Sequence, residues 1–71
     1  AERNDEMRLI GRIVESLPPL QQQIFRMKEI EGYESEEIMQ ILGCSADNLR
    51  KNLSRARLRI RDTYIRIMNG R

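Results

Sequence analysis

The chain has 71 residues, with 13 Lys/Arg against 11 Asp/Glu, one cysteine and no histidine. One small domain is expected, near the lower size limit for a core without disulfides or metal. A lone thiol and no imidazole exclude an internal disulfide, an ordinary zinc site and His-based nucleophilic catalysis, so neither an enzyme nor a cofactor is expected.

The first predicted helix runs from about Asp5 to Ser16. Ile10, Ile13, Val14 and Leu17 follow the i, i+3, i+4, i+7 pattern of one buried face, and Asp5 and Glu6 suit the positive end of the helix dipole. Leu17-Pro18-Pro19 ends it, while Pro19 is tolerated in the first turn of the next helix. That second helix covers about Pro19 to Glu31, burying Leu20, Ile24, Phe25 and Met27, and stops at Gly32. A short third helix, about Ser35 to Leu42, buries Ile38, Met39, Ile41 and Leu42 before Gly43 breaks it. After the turn Gly43-Cys44-Ser45, with Ser45 as cap, the fourth helix spans about Ala46 to Met68. Leu49, Leu53, Ala56, Ile60, Tyr64 and Ile67 repeat along it at helical spacing. No alternating β-branched run marks a strand, so the expected fold is all-α, with four helices.

Charge is distributed unevenly over these elements. Residues 1–44 carry five Lys/Arg against nine Asp/Glu, a net of −4, and residues 45–71 carry eight against two, a net of +6. Local charge steers a polyanion, so the long basic C-terminal helix is the expected nucleic-acid contact. With one phenylalanine, two tyrosines and no tryptophan, the chain lacks the stacking platform of single-strand binders, which favours duplex. No run approaches the roughly 20 apolar residues of a membrane span. The chain opens on Ala1 without a signal-like apolar run and is read as a fragment of a larger, soluble cytoplasmic protein.

A short helix, a Gly-containing turn and a basic helix give the order of a helix-turn-helix over about residues 35–57, whose second helix enters the major groove. Around it, Leu17-Pro18-Pro19, Ile24-Phe25, Glu31-Gly32-Tyr33, Glu37-Ile38, Leu42-Gly43, Ser45 and Arg55-Ala56-Arg57 occur in the order and spacing of region 4 of bacterial RNA polymerase sigma factors. The chain resembles most the small extracytoplasmic-function group, over about Ile10 to Ile60. The resemblance implies recognition of the minus-35 promoter element in double-stranded DNA, docking on the flap of the polymerase β subunit, and a separate region 2 elsewhere in the parent protein. An anti-sigma factor is a further implied partner. Three positions depart from the family pattern: Met39 replaces a small alanine, Glu34 replaces a capping Ser or Thr, and Asn48-Leu49 replaces Thr-Val. Ser35 is expected to take over the cap, and Met39 to fit with a slightly wider helix crossing.

Helical geometry selects the DNA-facing side chains independently. Opposite the stripe Leu49, Leu53, Ala56 and Ile60 lie Asp47, Lys51, Ser54 and Arg55, with Arg50 and Asn48 on the shoulders. Arg and Lys suit guanine O6/N7, and Ser suits a donor or an acceptor. The family positions matching Arg50, Lys51, Ser54 and Arg55 lie at base edges, so these four are the expected base readers. Asn48, Asn52 and Arg57 are assigned to phosphates, which position the helix without carrying sequence information. Arg59, Arg61 and Arg66 are read as surface charge, Cys44 as a small apolar plug, Tyr33 as packing over the helix junction, and Met7, Met27, Met39 and Met68 as core or near-core filling. Gln21-Gln22-Gln23 suits either phosphate contact or a solvated first turn. Two other functions fit parts of the pattern: the helix-turn-helix domain of a response regulator, which usually lacks Leu-Pro-Pro and Arg-Ala-Arg, and an interaction module that grips polymerase or an anti-sigma factor through the Ile10 to Leu42 surface.

Overall fold

The computed structural model describes the backbone of residues 2–70 and the side chains of residues 5–70. Four helices follow one another with no strand among the described residues: α1 (Glu2–Glu15), α2 (Pro19–Phe25), α3 (Ser35–Leu42) and α4 (Ala46–Asn69). A wider π-helical turn, Arg26–Ile30, continues α2. The all-α architecture and the helix-turn-helix order are therefore as the residue pattern predicts, with α1 starting three residues earlier than expected.

Local chemistry accounts for most of the boundaries. After α1 the Ser16 hydroxyl donates to the Ile13 carbonyl (2.6 Å), and Pro18, at φ −53° and ψ 146°, sets an extended corner from which Pro19 starts α2. The π turn shows as a slipped hydrogen bond, Glu31 N–H to Arg26 O (2.8 Å), and Tyr33 N–H closes it onto Met27 O (2.8 Å). Gly32 (φ 78°) and Gly43 (φ 65°) both take the left-handed conformation that lets the chain leave a helix at once. At the start of α3 the cap is Glu34, not Ser35: the Glu37 carboxylate reaches back to accept from Glu34 N–H (2.8 Å), the back-reaching half of a capping box. Ser45 caps α4 as expected, its Oγ accepting from Asn48 N–H (3.1 Å).

Two apolar clusters hold these helices together. Ile24, Met27, Ile38 and Leu49 form the core of the helix-turn-helix, with Met39, Leu42, Cys44 and Leu53 packed against it. Val14, Leu17 and Ala56 join α1 to α4, flanked by Phe25 and Ile60. Ala56 has no accessible surface, so α1 and α2 close on α4 where its side chain is smallest.

Several expected core residues lie outside. Ile41 is 58% exposed, because it sits about 100° around α3 from Leu42 and a two-turn helix buries only a narrow stripe. Leu20 is 39% exposed, and the inward position of that turn belongs to Gln21, whose Oε1 is buried without a hydrogen-bond partner. Ile10 and Ile67 are also exposed, as are Met7 and Met68.

Candidate nucleic-acid interface

α4 runs for 24 residues, about 36 Å at 1.5 Å per residue, along a molecule whose longest extent is 41 Å. Only Leu49, Asn52 and Ala56 of this helix are buried, so its first three turns form a ridge with one side against the core and the other bare. Hydrophobic packing thus fixes the helix rotation, and rotation decides which polar side chains are presented.

On the bare side stand Asp47, Asn48, Arg50, Lys51, Ser54 and Arg55, all exposed. Asp47 accepts from Arg50 through Oδ1 (3.3 Å) and pairs with Lys51 Nζ through Oδ2 (3.2 Å). Both are short-range helix pairs, three and four residues apart, in open solvent, where such pairs contribute only a few tenths of a kcal/mol. Their effect is to lay two cationic heads over the first turn. Arg55 stands one turn beyond Lys51 and lines a polar groove with Ser16, Gln21, Arg59, Asp62 and Arg66.

Two of the seven expected contact residues are engaged elsewhere. Asn52 is 9% exposed, and its Nδ2 donates to Asn48 O and Asn48 Oδ1, both at 2.9 Å. It lies about 100° from Lys51 toward the core, and its amide is satisfied by its own helix, so it is removed from the phosphate-contact set. It also fixes the Asn48 side chain. Arg57 lies on the flank as expected, but its guanidinium donates to Glu29 on the π turn (2.6 Å), tying α4 to the acidic half of the chain. A phosphate reaching it would meet a guanidinium whose charge is already partly neutralised by Glu29.

Asp47 and Glu29 are the site-lining residues that sequence reasoning left out of the contact set. Asp47 was legible as the one acid among the cations of residues 45–61, whereas Glu29 was not, since its approach to Arg57 depends on the π turn.

A second surface is apolar. Ile10, Phe25, Ile60, Tyr64 and Ile65 line a groove of about 290 Å³ between α1, α2 and α4, with Arg57 and Arg61 at its rim. No helix among the described residues is long and apolar enough to cross a membrane.

Compared with models of protein families, residues 7–60 match the one described as "Sigma-70, region 4". Searches of curated proteins and of solved structures return no significant match.

Proposed function

The chain belongs to the sigma-70 region 4 family, and from that premise we propose that it reads the minus-35 element of promoters in duplex DNA as one part of a larger sigma factor of the extracytoplasmic-function type. The observation that carries this reading is the placement of Arg50, Lys51, Ser54 and Arg55 on the exposed side of a helix whose opposite side is locked into the core. A helix about 10–12 Å across fits the major groove of B-DNA, and these residue types are the ones that bond base edges there. Arg50, Lys51 and Arg55 supply the cationic contact, Ser54 an adaptable donor or acceptor, and Asn48, held by Asn52, a fixed polar group beside them. The role is binding, not catalysis. A response-regulator domain would share the turn, but family membership favours the sigma reading.

Polymerase is the second partner in this proposal. The groove of Ile10, Phe25, Ile60, Tyr64 and Ile65 lies outside the base-reading face and is available to an apolar segment of the β-subunit flap or to an anti-sigma factor while α4 holds DNA.

Selection from a library of promoters randomised in the minus-35 region, by polymerase carrying the parent factor, tests the DNA reading. Wild type should enrich one element, and Arg55→Ala should relax preference at one or two adjacent positions, at a loss of about 1–3 kcal/mol on the preferred element. A parent factor that enriches nothing in that region would overturn the proposal.

A further inference from the structure

Asp47 is the one carboxylate in residues 45–61, against six Lys/Arg. It stands on the exposed side of α4, about 40° around the helix from Lys51, with each carboxylate oxygen facing a different cation, Arg50 at 3.3 Å and Lys51 at 3.2 Å. A helix N-terminus favours an acid for its own sake, and that alone would explain an Asp in the first turn. It does not explain why this acid points along the face that carries the cations.

Resting on the promoter-reading proposal above, we propose that Asp47 is a specificity-determining residue, which holds Arg50 and Lys51 off nonspecific DNA and accepts from a cytosine N4 amino group at the cognate site. In the free protein its carboxylate neutralises part of the positive charge that would otherwise meet any phosphate backbone. When α4 enters the groove, Arg50 and Lys51 turn to acceptors on the DNA, and Asp47 is left facing base edges without its two partners. Of the groups on the major-groove edge, guanine presents acceptors, which repel a carboxylate. Cytosine presents the N4 donor and no acceptor on its own edge, so it compensates the acid best; adenine presents an N7 acceptor beside its N6 donor and suits an amide instead. A site lacking cytosine there leaves a desolvated, unpaired anion beside phosphates, which costs affinity. The same residue thus weakens binding everywhere and least at one base pair.

The test uses the full 71-residue chain, with duplex selection from a randomised library and titration of a random-sequence duplex, for wild type, Asp47→Ala and Asp47→Asn. Circular dichroism confirms that each variant is folded, and sequence preference is read at matched occupancy, so altered stability does not enter. Wild type should prefer cytosine at one base pair by roughly five- to tenfold. Asp47→Ala should lose that preference and bind the random duplex several-fold more tightly, while Asp47→Asn should shift it toward adenine. If Asp47→Ala selects the same sequence as wild type, or binds random duplex no more tightly, the inference fails while the promoter-reading proposal stands. If wild type selects no sequence at all, both fail.

Discussion

A buried amide at position 52 shows how one residue's role is decided by its hydrogen bonds. Asn52 donates twice to Asn48 at 2.9 Å, and losing a buried pair of this kind costs about 1 kcal/mol per bond. Asn52→Ala should therefore lower stability by roughly 1–2 kcal/mol in urea unfolding while leaving the salt dependence of duplex binding as it is in wild type. A shallower salt dependence with unchanged stability would restore Asn52 to the phosphate contacts. Its burial was hard to read from the sequence because Asn is a surface residue by type, and only the carbonyl four residues back makes an inward position cheap. Gly43 is the opposite case. Its φ of 65° is demanded by an immediate turn, so the sequence shows it plainly. A Cβ there would meet nothing within 4 Å, so the penalty of substitution is purely conformational. Gly43→Ala should cost about 1–2 kcal/mol and Gly43→Val more, measured by thermal unfolding. An unchanged midpoint for valine would contradict the left-handed turn.

Helices with local punctuation were legible element by element. α3 ends where Gly43 indicates and α4 begins at its Ser45 cap, whereas the cap of α3 falls on Glu34, one residue before the Ser35 that the sequence pointed to. What could not be read is the π turn after Phe25, where the hydrogen bonds slip by one residue without a proline or glycine to announce it. Slippage of that kind answers to tertiary packing, and here it accompanies the Glu29 to Arg57 pair. The cap of α4 has a functional consequence, since the turn it closes carries Asp47, Arg50 and Lys51. Ser45→Ala removes the acceptor for Asn48 N–H and should lower stability by about 1 kcal/mol. Fraying of that turn should also reduce discrimination between promoter elements more than it reduces binding to random duplex. Equal losses on both would show that the first turn positions no base reader.

At the scale of the whole molecule, the uneven charge of the chain becomes a division of labour between faces. The exposed side of the first turns of α4 is cationic, the acidic half is joined to that helix through Glu29 and Arg57, and the apolar groove of Ile10, Phe25, Ile60, Tyr64 and Ile65 opens beside that tie, with Arg57 and Arg61 at its rim. The charge halves were readable by counting residues, but the tie between them was not, because 28 residues separate its partners. That tie distinguishes two arginines that look equivalent in Arg55-Ala56-Arg57. Each phosphate contact adds about 0.9 to the slope of log K against log salt, so Arg55→Ala should make the dependence shallower by about that amount if Arg55 also meets the backbone. Arg57→Ala should leave the slope near wild type and instead cost the domain at most about 1 kcal/mol, as an exposed ion pair does. Glu29→Gln supplies the converse, freeing the Arg57 guanidinium for phosphate and steepening the slope. Titrations of all three variants against one duplex at several salt concentrations decide the matter. If Arg57→Ala loses as much slope as Arg55→Ala, the Glu29 pair does not keep Arg57 from the phosphate backbone.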